Sequence, residues 1–228
     1  MHEAPIIFPI NIIVSMGIPP FVVFSWVAMA IILVTSIIVR TSIKLVPSGV
    51  QNVVEVVVEF FLNLAETSIG HMGRHFFPLI GTIGIYILVC NFLGLIPGCE
   101  APTSNLNTNA AMAIPVFLAT HYYGLRIHGF AYVKHFVGPM RSIVALPLMM
   151  LMFVIEGIGH IARPLTLSVR LFGNMVAKHM ILLILGILVP WIVPTAILGL
   201  GVLVSVIQAF VFALLTTLYL AGAVEEAH

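Results

Sequence analysis

The sequence predicts an all-α integral membrane protein with about five transmembrane crossings and one amphipathic helix lying at the interface. Three observations carry this. Charge is scarce: 9 Lys+Arg and 8 Asp+Glu in 228 residues, or 7%, against roughly 25% in a soluble domain. Apolar residues are abundant, at 61% with a mean hydropathy of +1.20. The apolar runs are long and continuous, which favours helices over the alternating segments of about ten residues found in barrels. So few charges cannot wet a globular surface, and disorder needs the opposite composition. A net charge of +1 gives no cationic cluster for nucleic-acid phosphates.

The elements follow in order. Pro19 and Pro20 open a first span, residues 21–39, closed by Arg40 and Lys44. Its length suits a hydrocarbon core of about 30 Å. No basic region precedes it, so no cleaved signal peptide is expected. Residues 47–70 carry Glu55, Glu59 and Glu66 at helical spacings among Val, Phe and Leu, the pattern of an interfacial helix. Residues 77–95 form the second span, and 97–109 a loop rich in Pro, Asn, Ser and Thr. A short third span, 110–123, contains Pro115, and the mixed segment 125–139 is read as interfacial.

Residues 142–188 are apolar and helix-compatible for more than 40 residues. A helix that long measures about 60–70 Å, twice the hydrocarbon core. Two spans with a turn at Arg163-Pro164, or one strongly tilted helix, both satisfy the sequence. A turn at Pro190-Trp191-Ile192-Val193-Pro194 leads to the last span, 195–220, and a tail, 221–228, with Glu225 and Glu226.

With the N-terminus outside, Arg40, Lys44, Arg74, Arg126, Lys134 and Arg141 all fall on the inner side, and no Lys or Arg falls in an outer loop. That bias sets the orientation if 142–188 crosses once. The C-terminus and its tail are then inside.

The other three cations, Arg163, Arg170 and Lys178, lie within the long apolar region. Charges there cost at least about 2.5–3.5 kcal/mol near the bilayer centre. They are patterned. Glu156, His160, Arg163, Arg170 and Asn174 step by 4, 3, 7 and 4 residues, which keeps them on one helical face. His179 lies just beyond. Glu156 lies about 21 Å along the helix from Arg170 toward the inner side, and His179 about 14 Å toward the outer side. A fixed positive charge thus separates two titratable groups, an arrangement suited to an interrupted proton pathway. Arg170 has no acidic residue at i±3 or i±4, so its partner lies on another helix or another chain. Arg cannot give up its proton, so it acts as an electrostatic element.

Simpler readings stand beside these. Glu156 and Arg163 suit a structural ion pair, His160 a packing role, and Lys178 snorkelling outward. Gln208 is placed to hydrogen-bond across to the Arg170 helix, while Ser205 and Thr216 are expected to bond within their own helix. Gly157, Gly159, Gly173, Gly199 and Gly201 permit close helix approach. No metal site is expected, since His71 and His75 lack a third ligand, and no cofactor motif appears. Cys90 and Cys99 form no CxxC pair and read as filler.

The stretch from Arg163 to Met175, with Arg170-Leu171-Phe172-Gly173-Asn174 at its core, closely resembles subunit a of the F-type ATP synthase membrane sector. The likeness extends back to Glu156-Gly157 and forward to Gln208-Ala209-Phe210-Val211-Phe212. It also takes in Asn91 to Pro97, Pro102 to Asn107 and the acidic tail. The resemblance implies that the last two helices are long and strongly tilted against a rotating ring of c subunits, which selects one tilted helix over two spans. It implies a bacterial inner-membrane subunit, periplasmic at its N-terminus and cytoplasmic at its C-terminus, that meets b subunits of a peripheral stalk. It makes the chain a non-catalytic proton conductor, with ATP chemistry on other subunits. Arg170 would face the ring's carboxylate, favour its ionised form and separate two aqueous half-channels. Glu156, Gln208 and Asn174 match the family's polar positions, with Glu156 on the cytoplasmic half-channel and His160 a second exit candidate.

This chain departs from some relatives on the outer side. His179 stands in place of a glutamate, Gly201 in place of a histidine and Gly94 in place of an aspartate. His179 is then the outer titratable candidate, and Glu100 is read as a solvated loop residue. Whether H⁺ or Na⁺ is the coupling ion is left open. The alternative function is a stand-alone ion or anion transporter with a midplane arginine, although no inverted repeat relates the halves.

Overall fold

A computed structural model describes residues 17–96, 99–129, 146–188 and 192–224. Among them the secondary structure is helical, with six α-helices and two short 3-10 turns. They are α1 (Pro20–Thr41), α2 (Val50–Ile69), α3 (Gly73–Leu93), α4 (Leu106–His128), α5 (Leu146–Leu188) and α6 (Ile192–Val224). Four stretches are long and apolar enough to cross a membrane: Pro20–Thr41, Val50–Leu93, Met150–Leu182 and Ile197–Val224. The chain is an all-α membrane protein.

α4 is absent from that set although residues 110–123 are expected to span. It carries Asn107, Thr108, Asn109, Arg126 and His128 at its ends. It packs against both α5 and α6, and a helix shielded by protein tolerates more polarity than one facing lipid. Its start is set by Asn105, whose side chain accepts from the Asn107 N–H at 2.9 Å, so the expected loop is shorter than 97–109.

α5 resolves the choice over residues 142–188. It is one continuous helix of 43 residues, about 65 Å long, and Arg163-Pro164 does not break it. Ser168 Oγ donates to the Pro164 carbonyl at 2.8 Å, and Thr166 Oγ1 to the carbonyls of Ala162 and Arg163. The expected turn at 190–194 also shrinks, because α6 begins at Ile192. Residues 189–191, the tail from 225 and most of the segment 125–139 fall outside the described residues.

α2 folds back along α3 and also packs on α6. Gly73 makes the first contact possible: a Cβ there would sit 2.4 Å from the Ala65 carbonyl oxygen. Phe61 and Ala65 bury with Phe76, Ile80, Ala213 and Leu220. Glu55, Glu59 and Glu66 remain exposed, the last 3.8 Å from Arg74. A second cluster joins Ile87, Val116, Leu167, Leu171 and Phe212, locking α3, α4, α5 and α6 together.

A buried polar network runs beside that cluster. Thr103 Oγ1 donates to Asn91 Oδ1 at 2.8 Å, and Asn109 Nδ2 donates to the Thr103 carbonyl at 2.9 Å. The amides of Asn91 and Asn109 reach the carbonyls of Ser205 and Ser168 at 3.4 and 3.5 Å. It therefore ties the 3-10 turn Pro102–Ser104 to the two long helices, two residues from Arg170 on one and three from Gln208 on the other.

Candidate functional site

The helical stripe inferred from spacing exists, because α5 is unbroken. It divides into a middle and two ends.

In the middle, Arg170 is exposed on the outward side of α5. No carboxylate among the described residues lies within ion-pair distance of it. One turn on, Asn174 Nδ2 donates to Gln208 Oε1 at 2.6 Å, the expected bond from Gln208 across to the Arg170 helix. Gln208 is buried and Asn174 exposed. The outward face around them is apolar, with Val169, Val206 and Ile207 exposed. A Cβ at Gly157, Gly159, Gly173 or Gly199 would touch nothing. Among the described residues these four glycines therefore meet no packing partner, and their faces lie open to the approach of another helix. Gly201 does meet one: a Cβ there would meet Leu95 Cδ2 at 2.7 Å and Lys178 Cδ at 3.5 Å.

Toward the start of α5, Glu156 and His160 join. His160 Nε2 lies 3.2 Å from Glu156 Oε1, and Arg163 Nη2 reaches the same oxygen at 4.0 Å. The Arg163 guanidinium also covers the Tyr219 ring of α6 at 5.3 Å. The expected i, i+7 pair thus forms at the limit of ion-pair distance, and His160 shares the same carboxylate oxygen. Sequence reasoning missed His121 of α4, whose ring centroid is 5.1 Å from that of His160. The available signal was an ionisable residue inside a predicted span.

Toward the other end, His179 Nδ1 donates to the Met175 carbonyl at 2.8 Å. His179 lies near enough to Glu100 to act on its carboxyl. Glu100 is exposed in its loop, as expected, although desolvation pushes its carboxyl up and His179 partly offsets this. Lys178 also departs from expectation. It does not snorkel outward but is buried at 7% exposure, its Nζ without a hydrogen-bond partner among the described residues. Its stem packs beside Gly201, where a Cβ would lie 3.5 Å from Lys178 Cδ, an ordinary contact distance. Lys178 and Gly201 line an open cavity of about 380 Å³ between α5 and α6 that reaches Asn174 and Gln208. No group of three or more metal-ligating side chains occurs among the described residues.

The family model described as ATP synthase A chain matches residues 22–221, a range that includes every helix but the ends of α1 and α6. The chain belongs to the ATP synthase subunit a family. It is 51% identical to ATP synthase subunit a of Trichlorobacter lovleyi over 207 residues, 91% of this chain and 88% of that one. It is 47% identical to the subunit a of Geobacter sulfurreducens with the same coverage, and 44% identical to that of Geotalea daltonii over 94% and 92%. Membership makes the chain a multi-pass membrane subunit of the ATP synthase complex, against the alternative of a stand-alone transporter.

Proposed function

We propose that this chain is the stator proton channel of a rotary ATP synthase, with two offset aqueous half-channels separated by Arg170. The observation that carries the reading is the position of Arg170. An arginine presented outward from an apolar helix, with no carboxylate of the described residues beside it, is costly in a membrane. An acidic group on a neighbouring subunit removes that cost, and the carboxylate of a c-subunit ring supplies it. The outward-facing glycines, open to close approach, suit the passage of ring helices.

In this reading the N-terminus is periplasmic and the C-terminus cytoplasmic. The chain crosses five times, α2 lies at the inner interface toward the b subunits, and α5 and α6 tilt because their length exceeds the hydrocarbon core. Protons enter near His179 and reach the ring carboxylate past Asn174 and Gln208. The fixed charge of Arg170 favours release of each arriving proton and repels any that would cross directly. After nearly a full turn of the ring, protons leave past Glu156, with His160 beside it. The chain carries out no ATP chemistry. Selection of H⁺ over Na⁺ rests largely with the ring.

The test is Arg170→Ala in the whole synthase reconstituted into vesicles. Proton-driven ATP synthesis is expected to vanish while the complex still assembles. Wild-type synthesis rates in the assembled variant would refute the reading.

A further inference from the structure

Polar side chains from three helices converge near the start of α5. Glu156, His160 and Arg163 come from α5, His121 from α4 and Tyr219 from α6. His121, His160, Arg163 and Tyr219, with Thr120, line a narrow cleft of about 10 Å³, about the least that admits one water. The rings of His121 and His160 meet edge to face, at 73°. His121 Nδ1 lies 2.9 Å from the Phe117 carbonyl. A carbonyl only accepts, so Nδ1 carries the hydrogen and Nε2 is the acceptor of the neutral ring. Beyond His121, α4 runs only seven residues to its end at His128, about 10 Å of rise.

We propose that His121 is a proton-relay residue that carries the exit path from α5 across to α4. This rests on the reading of the Glu156 end as the exit half-channel. A proton arriving past Glu156 is taken up by His160, whose Nε2 lies 3.2 Å from the Glu156 carboxylate. His160 releases one proton, through water in the cleft, to Nε2 of neutral His121. His160 returns to neutral imidazole and His121 becomes imidazolium. Loss of that proton to water at the end of α4 restores His121, so neither ring is changed by a full cycle. Two cationic rings this close repel, as does Arg163, so the pair carries one proton at a time. The charged and titratable groups facing the pair among the described residues are Glu156 and Arg163 from α5 and Tyr219 from α6.

The experiment compares His121→Gln, His121→Phe and Glu156→Gln in the reconstituted synthase. Assembly is checked by retention of the c-ring, and passive proton flux and proton-driven synthesis are read between about pH 5 and 8, where imidazole chemistry switches. Both His121 variants are expected to lose flux by at least about tenfold, the low side of what removing a proton-transfer group costs, and to lose the wild-type pH dependence in that range. A uniform loss at every pH overturns the proposal, because a packing role alone explains it. So does wild-type behaviour of His121→Gln while Glu156→Gln is impaired, and the channel reading then stands. If Glu156→Gln is also unimpaired, the assignment of the exit half-channel falls with it. His121→Gln keeps a polar side chain of similar size, so it answers the question if His121→Phe fails to assemble.

Discussion

Asn174 of α5 and Gln208 of α6 share a hydrogen bond of 2.6 Å, Asn174 Nδ2 donating to Gln208 Oε1. It links the two long helices one turn from Arg170, at the mouth of the cavity that Lys178 and Gly201 also line. The bond joins the helices beside the place where the proposed function puts the partner of Arg170. Replacing Gln208 by Leu leaves the Asn174 donor without that acceptor. A net worth of about 0.5–1.5 kcal/mol corresponds to roughly two- to tenfold in a rate governed by this geometry. Proton-driven synthesis by Gln208→Leu is expected to fall by that factor. Gln208→Glu keeps an acceptor oxygen and retains more activity. Equal rates in Gln208→Leu and the wild type would dismiss the bond as a determinant of coupling.

The buried network around Thr103 predicts a stability effect. Thr103 and Asn91 are both fully buried, and Thr103 Oγ1 donates to Asn91 Oδ1. Thr103→Val keeps the shape but leaves that carbonyl oxygen without its donor, at a cost of about 1–3 kcal/mol. Thermal unfolding of the detergent-solubilised protein is expected to begin at lower temperature in the variant. An unchanged melting temperature would mean that Asn91 finds another donor.

The stripe from Glu156 to Asn174 was legible because a single unbroken helix carries it, so spacing alone states which residues share a face. The same rule reached the Glu156–Arg163 pair. It could not show that Arg163-Pro164 is accommodated inside a helix, since the Thr166 and Ser168 back-bonds that accompany Pro164 are common to broken and unbroken segments alike. Periodicity is silent on contacts between helices. His121 and His160 are 39 positions apart in the sequence, and only the packing of α4 on α5 joins them. Lys178 packs inward against Gly201 of another helix, a contact that spacing along α5 does not reveal. At Gly94 a Cβ would sit 2.4 Å from Ala101 Cβ. That glycine is set by loop packing, which composition does not reveal.

Glu100 predicts a pH effect with a definite sign. Burial raises its carboxyl, and the charge on His179 only partly offsets the rise. The folded protein therefore holds the Glu100 proton more tightly than the unfolded chain, whose carboxyl titrates near about 4.3. The contribution of this group is present below that pH and is lost as pH rises through the folded value. Glu100→Gln removes the titration. The melting temperature of Glu100→Gln minus that of the wild type is therefore expected to grow as pH is raised from about 4 to 7. The gap is small, because Glu100 remains partly in solvent. A gap that instead shrinks with rising pH would mean that attraction to His179 outweighs burial, and the loop carboxylate would then stabilise the His179 end of α5 in its charged form.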